Sequence, residues 1–296
     1  MLSTIGNTPL VQLKRLVGRE SADVFVKLEY FNPTGSYKDR MAKSILEAAI
    51  AREDLTKSIT VLECTGGSTG SSLAFLCAAL GYPCHIISSD AYAKAKLDSM
   101  RAFGAQLDVV PCIGGEVTPD LWPRMLERAE QLQQTGKYFY VQQFQNKDAR
   151  LGYRDMAQEV LDQVDRPIDL FCGAVGTAGM LSGVGSALRE KFPNVRLVAL
   201  EPDSSAVLSG GQPGSHNIDG TAAGFIPPLY DGKGTEVLAL SEAEARVMVS
   251  RLAQEEGLFC GTSTGLNVLA AIKLAKELGP GKTVVTVACD SGFKYL

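Results

Sequence analysis

In the stretch FNPTGSYKDR, Phe31 to Arg40, one lysine sits behind a turn-rich Asn-Pro-Thr-Gly-Ser segment, where a helical pattern begins and runs on through MAKSILEAAIA. A solvated surface lysine needs no such frame. An amine that bonds to a carbonyl or moves a proton has to be held in place, which makes Lys38 the first candidate for chemistry. Three further segments combine glycine with hydroxyl side chains where a strand pattern passes into a helix. ECTGGSTGSSLAFLCAALG carries the turn Thr65-Gly66-Gly67-Ser68-Thr69-Gly70, DLFCGAVGTAGMLSGVGSAL carries Gly173 to Gly179, and EEGLFCGTSTGLNVLAAIKLA carries Gly261 to Gly265. The first N–H groups of a helix have no intrahelical acceptor, and together with the helix dipole they favour an anion.

Taken alone, the turn at Gly173 to Gly179 looks like a loose dinucleotide fingerprint, which is weak support. It lies past the middle of the chain, and no clear acidic ribose-binding residue follows it with a second nucleotide half behind. Glu201 in VALEP could take that part, or it could be a buried strand-end carboxylate satisfied by backbone donors. A phosphate cradle not attached to a dinucleotide is the better reading. Two anion-binding helix starts, a further hydroxyl-bearing turn and a framed lysine then ask for a common ligand. A compound with a phosphate, an aldehyde and a ring nitrogen, acting on a substrate with a carboxylate, uses all four: pyridoxal 5'-phosphate and an amino acid.

The elements that must position these groups are those of an ordinary globular chain. With 296 residues, 45% of them hydrophobic and 21% charged, the chain is long enough for a large core split over two domains. Its net charge of -4, from 29 Lys+Arg against 33 Asp+Glu, offers no field for a nucleic acid and no polybasic block for a membrane. The start MLSTIGNTPLVQLKRL has no secretory pattern, so the expected location is cytoplasmic. Seven cysteines without a CxxC rhythm and only two histidines predict reduced core thiols and no metal site.

DVFVKLE, SITVLEC, CHIIS, LDVVP, YFYVQQF, DLFCGAV, VRLVALEP and TVVTVAC read as strands, most apolar enough to be buried on both faces. Helical patterns lie between them, including TGSSLAFLCAALG, AYAKAKLDSMRAFG and SEAEARVMVSRLAQEEG. This alternation predicts an α/β architecture with mainly parallel sheets. One long irregular region, SSAVLSGGQPGSHNIDGTAAGFIPPLYDGKG, lines a site or is merely a loop.

IGNTPLVQL, FNPTGSYKDR, TGGSTG, VQQFQN, GAVGTAG, ALEP, HNIDGTAAGFIPP and GTSTG together resemble the cysteine synthase (O-acetylserine sulfhydrylase) and cystathionine beta-synthase family. The resemblance covers essentially the whole chain in the family's order. It implies the tryptophan synthase beta-like PLP fold (fold type II), with two three-layer α/β/α domains. Residues 36–139 would form a smaller domain with the substrate carboxylate loop, and residues 1–35 with 140–296 a larger one with the phosphate and ring-nitrogen sites. Lys38 would bond to the cofactor and move the α-proton. Thr65, Gly66, Ser68, Thr69 and Gln143 would grip the substrate carboxylate. Gly176, Thr177, Ala178, Gly179 and Met180 would cradle the phosphate, and Ser263 would meet the pyridine nitrogen. Gly220 would border the substrate, and Asn32, Asp39 and Gly220 would support the site or its closure, or serve structure alone.

Three departures from the family's pattern stand out. Ser68 replaces the asparagine of the substrate loop, which in the family also approaches the cofactor ring. Gly176-Thr177-Ala178-Gly179-Met180 lacks one hydroxyl of the cradle. QNKDARLGYR replaces the run after the loop glutamine. The resemblance implies β-replacement on an activated serine such as O-acetylserine through an aminoacrylate, with sulfide or a thiol as nucleophile, giving cysteine or a related β-substituted alanine. A lyase of the cysteine desulfhydrase or serine dehydratase type, releasing pyruvate and ammonia, is the alternative. A non-catalytic partner or nucleotide-binding protein on the same fold is a third, which Lys38 argues against. The family precedent implies a homodimer.

Overall fold

The computed structural model describes residues 1–112 and 120–296. Its contacts divide the chain into two units, Met1–Ile5 with Lys38–Ala149 and Gly6–Tyr37 with Arg150–Leu296. In chain order the strands are β1 Leu10–Gln12, β2 Asp23–Leu28, β3 Thr60–Cys64, β4 Cys84–Ser89, β5 Gln106–Val110, β6 Tyr138–Tyr140, β7 Leu170–Ala174, β8 Arg196–Pro202, β9 Thr235–Leu240 and β10 Thr283–Ala288. The α-helices are α1 Lys38–Ala51, α2 Ser68–Leu80, α3 Lys94–Ala102, α4 Leu121–Gln133, α5 Ala149–Gln163, α6 Gly179–Lys191, α7 Glu242–Arg251 and α8 Thr262–Leu278. Among the described residues no helix is long and apolar enough to cross a membrane.

The unit that begins at Lys38 holds a sheet in the order β5-β4-β3-β6, parallel throughout. Parallel neighbours need a crossover, and α2, α3 and α4 lie in the intervening chain. β4, CHIISS, is buried at every residue, as a strand between two others should be, although His85, Ser88 and Ser89 flank its apolar centre Ile86-Ile87. On α4, Leu121, Met125 and Ala129 recur every fourth residue, so they share one face and pack with Leu62, Cys64 and Ile87.

The other unit holds a sheet in the order β1-β2-β10-β7-β8-β9, antiparallel only between β1 and β2. β7 and β10, at its centre, are buried along their whole length. The buried apolar residues of α8, such as Leu266 and Val268, share a core with Val24, Leu170 and Val284. β1 and β9 are strands that the sequence reading leaves out. Both are edges with partly exposed residues, so they lack the continuous apolar run that marks a central strand. YFYVQQF is a strand only as far as Tyr140. Residues 206–234 hold neither helix nor strand, in keeping with their glycine and proline content.

This second unit also fixes the segment that leads to Lys38. Glu29, fully buried, accepts from Thr8 Oγ1 at 2.6 Å and from Asn32 Nδ2 at 2.8 Å, while Asn32 Oδ1 accepts from Gly6 N–H at 2.9 Å. Lys27, also fully buried, donates to Thr8 O at 2.6 Å and pairs with Glu159 at 2.7 Å. The motif Gly6-Asn7-Thr8-Pro9 is thus gripped by buried ions, whose removal one at a time leaves the partner uncompensated. Lys27→Met should lower stability by about 3 kcal/mol, read as a reduced urea midpoint. An unchanged midpoint would mean that the network carries no net energy.

Candidate active site

Lys38 is the first residue of α1 and only 7% exposed, followed by Asp39 and Arg40, both buried. Just before it, Tyr37 N–H donates to Cys289 O at 3.0 Å, Ser36 bridges Asp290, and Gly35 N–H donates to Asn32 O at 2.7 Å. The turn-rich segment is therefore pinned to the end of β10, and its asparagine to the N-terminal motif. These bonds give the frame around the lysine a physical cause.

In the first unit, β3 ends at Cys64 and α2 starts at Ser68 with Gly67 as its N-cap and no side-chain cap. Thr65 N–H donates to Ile87 O at 3.0 Å, and Thr65 Oγ1 accepts from Gly67 N–H at 3.1 Å. Thr69 donates its hydroxyl to Gln143 Oε1 at 2.7 Å, and both residues are buried. The loop and the glutamine belong to one arrangement. A Cβ on Gly66 would come within 2.3 Å of the Tyr92 ring, so the close approach of that ring requires glycine. The replaced run is anchored as well: Asn146 Nδ2 donates to Val141 O at 3.0 Å and Asp148 pairs with Arg52 at 2.7 Å.

Glu63 is a site residue that the sequence reading passes over. It stands in the apolar strand VLEC and is 2% exposed, with Oε1 accepting from Cys64 N–H at 2.7 Å and Oε2 from Gln143 N–H at 3.0 Å. A charged residue inside an apolar strand was the available signal; its partner, eighty positions away, was not readable. Burial pushes its carboxyl up to about 8, against the pull of the two N–H donors from Gln143 and Cys64. The same burial, and then the charge of Glu63, push the Cys64 thiol up to about 12.

In the second unit, β7 runs into Val175 and Gly176, and α6 starts at Gly179 behind Ala178, which lies in the left-handed region at φ 65°. No side chain of the N-cap residue closes this helix, although Thr177 Oγ1 lies 3.4 Å from Gly179 N–H as an acceptor. A Cβ on Gly176 would sit 2.1 Å from Gly220 O. Ala222 N–H donates to Val175 O at 2.9 Å, and Asp219 N–H to Thr262 Oγ1 at 3.2 Å. Part of the irregular region therefore lies against the cradle and the start of α8. The Met180 side chain reaches over Gly173, coming within 2.5 Å of where a Cβ would stand, so only its backbone can serve an anion.

Ser263, on the first turn of α8, is 5% exposed, and among the described residues its hydroxyl has no hydrogen-bond partner. The helix start around it is fixed: Thr264 Oγ1 accepts from Cys289 N–H at 3.0 Å, and Asn267 joins Ala174 N–H to Val287 O, each at 2.7 Å. Glu201 accepts from the N–H groups of Leu208 at 2.7 Å and Ser209 at 2.9 Å, which makes it the satisfied strand-end carboxylate rather than a ribose ligand. α7, by contrast, has an ordinary cap, Ser241 accepting from Glu244 N–H.

Residues 1–290 match the family described as pyridoxal-phosphate-dependent enzymes. The chain is 40% identical over 299 residues to the cysteine synthase of Staphylococcus aureus, an alignment covering 99% of this chain and 93% of that one. Among solved structures it superposes on O-acetylserine sulfhydrylase isoform 3 from Entamoeba histolytica with a TM-score of 0.94 and 35% identity, covering 100% of this chain and 89% of the other. A hydrogen sulfide-producing enzyme from Fusobacterium nucleatum gives a TM-score of 0.91 and 35% identity, covering 100% and 97%.

The residues fit pyridoxal 5'-phosphate: a helix start closed by no N-cap side chain for the phosphate, a glycine backed so closely by Gly220 O that no Cβ is accommodated, and Ser263, 5% exposed, on the first turn of α8. Gly176→Ala should push the cradle against Gly220 and weaken cofactor retention by about tenfold or more, since each charge-assisted hydrogen bond is worth about 1.5–3 kcal/mol. Cofactor absorbance after dialysis measures this, and full retention would contradict it. A second expectation concerns Glu63. Between its ordinary 4.5 and about 8, the folded chain keeps a proton that the unfolded chain has lost. Its stabilising contribution is full below the lower value and is lost as pH rises through the upper one. Glu63→Gln should therefore gain stability relative to the parent chain between pH 5 and 8.5 in urea titrations; a constant difference would contradict the shift.

Proposed function

Because the chain belongs to the family of pyridoxal-phosphate-dependent enzymes, we propose that it carries out β-replacement on an activated serine such as O-acetylserine, giving cysteine or a related β-substituted alanine. The single observation that carries this reading is the full-length likeness to cysteine synthases, joined to a buried lysine at the start of α1. When bound, pyridoxal 5'-phosphate supplies the carbonyl that takes up the substrate's amine and the ring that draws electrons from its α-carbon.

Each residue then has a task. Lys38 Nζ would hold the cofactor, and the same amine would take the proton from the substrate's α-carbon and return it. Thr65, Gly66, Ser68, Thr69 and Gln143 hold the α-carboxylate, and the 3.4 Å bond from Gln143 Nε2 to Cys64 O is long enough to be exchanged for one to that carboxylate. Gly176, Thr177, Ala178, Gly179 and Met180 offer backbone N–H groups to the phosphate, with Gly220 behind Gly176. Ser263 would face the ring nitrogen of the bound cofactor. A hydroxyl cannot protonate that nitrogen as a carboxylic acid can, so charge at the α-carbon is weakly stabilised and departure of the β-substituent is favoured.

Sulfide or a small thiol is the proposed nucleophile, and Ser68 and the segment QNKDAR are where this chain sets its own preference. As functional regions we propose residues 36–139 and residues 1–35 with 140–296, while the compact units divide instead after Tyr37 and after Ala149, so that Gln143 falls with the carboxylate loop. The resemblance supports a homodimer. A cytoplasmic location is supported by the seven cysteines, none of which forms a disulfide and six of which are buried. One observation favours a second reading, release of pyruvate and ammonia: the likeness to the hydrogen sulfide-producing enzyme. Product analysis with O-acetylserine and saturating sulfide separates the two. Cysteine should be the main product, and mainly pyruvate and ammonia with every activated serine would establish the lyase instead.

A further inference from the structure

The parallel ladder between β3 and β6 stops at an unusual place. Thr60 N–H donates to Lys137 O at 3.0 Å, and Val141 N–H to Leu62 O at 2.9 Å. Continuing the same pattern would send Cys64 N–H to Val141 O and Gln143 N–H to Cys64 O. None of these four groups takes its ladder partner. Cys64 N–H and Gln143 N–H donate to the two carboxyl oxygens of Glu63, Val141 O accepts from Asn146 Nδ2, and Cys64 O accepts from Gln143 Nε2. Gln142, between them, lies in the left-handed region at φ 54°, which turns the chain away from β3.

Backbone groups buried at a strand end have to be satisfied, and here side chains replace the missing rungs. The replacement parts the two strands at their carboxyl ends, where parallel sheets place their ligands. The parted ends are the ones that carry Thr65 to Thr69 on one side and Gln143 on the other. Thr69 closes the arrangement with its hydroxyl on Gln143 Oε1 at 2.7 Å.

We propose that Glu63 is the positioning residue of the carboxylate loop: by taking one N–H from each strand end it holds Gln143, and through it Thr69, where the substrate's α-carboxylate is received. This rests on the reading of the loop as the carboxylate grip. Glu63 touches neither substrate nor cofactor in this role. Its effect is therefore specific to ligands that carry a carboxylate, which a merely structural residue would not show.

The test uses the holoenzyme and two ligands without a β-leaving group, L-alanine and ethylamine, which differ in the carboxylate. Trp122, the only tryptophan, reports on binding because its ring lies 5.9 Å from that of Phe144, the residue after Gln143. The parent enzyme should bind alanine more tightly than ethylamine. Measured above pH 8, where Glu63 is ionised and accepts with both oxygens, Glu63→Gln, whose amide can accept only one of the two N–H groups, should weaken alanine by about tenfold to a hundredfold and leave ethylamine unchanged. Equal weakening of both ligands, or of neither, overturns the proposal. A parent enzyme that prefers ethylamine or shows no preference overturns the carboxylate reading beneath it, whatever its turnover of O-acetylserine. If Glu63→Gln does not fold, Glu63→Asp, which keeps the carboxyl group with a shorter reach, should show the same selective loss. Failure of both to fold would make Glu63 a residue of the fold and not of the site.

Discussion

An α-helix leaves the N–H groups of its first turn without intrahelical acceptors, and something has to satisfy them. The candidate site depends on this constraint. α7 meets it in the ordinary way, with Ser241 as its cap. α2, α6 and α8 have Gly67, Ala178 and Gly261 at the capping position and no cap from those side chains. All three follow a glycine-and-hydroxyl turn. α3 and α4 also lack a side-chain cap, and α3 follows no such turn; in the proposed chemistry a carboxylate is the complement of α2 and a phosphate that of α6, while α8 presents the Ser263 hydroxyl.

A helix start can bind an anion only if it stays in place, and side chains remote from the ligand do that work. Asn267 ties α8 to β7 and β10, and Thr264 ties it to Cys289. Gly220 and its neighbours back the turn after β7 so closely that Gly176 tolerates no side chain. In the other unit Glu63, Gln143 and Asn146 take over the backbone groups where β3 and β6 part. The departures from the family's pattern acquire a local meaning. Met180 packs on Gly173, so a hydroxyl has been exchanged for core contact, and Asn146 and Asp148 tie down the run that replaces the family's own.

Much of the architecture was legible because central parallel strands, buried on both faces, write themselves as apolar runs. LFCGA shows this directly, and TVVTVA and CHIISS show it through their central valines and isoleucines. The edges β1 and β9 were not legible, since half-exposed strands carry a diluted pattern. The turns at Thr65, Gly176 and Gly261 could be seen because glycine, hydroxyls and a following apolar helix are all local signals. Glu63 could not be understood in the same way. Its meaning lies in the pairing register of β3 with β6 and in one bond to Gln143, and register is not written in either strand alone. Glu201 illustrates the opposite case, where two readings stood open until the bonds to Leu208 and Ser209 decided between them.

The account turns on one amine. Its frame is costly: a fully buried Glu29, the asparagine it holds, and a segment pinned to Cys289 and Asp290, all immediately ahead of Lys38. The most direct measurement is to reduce the cofactor-loaded protein with borohydride, digest it and identify the peptide that carries the pyridoxyl group. The account predicts that the group is found on Lys38 alone. A pyridoxyl group on any other lysine would contradict it.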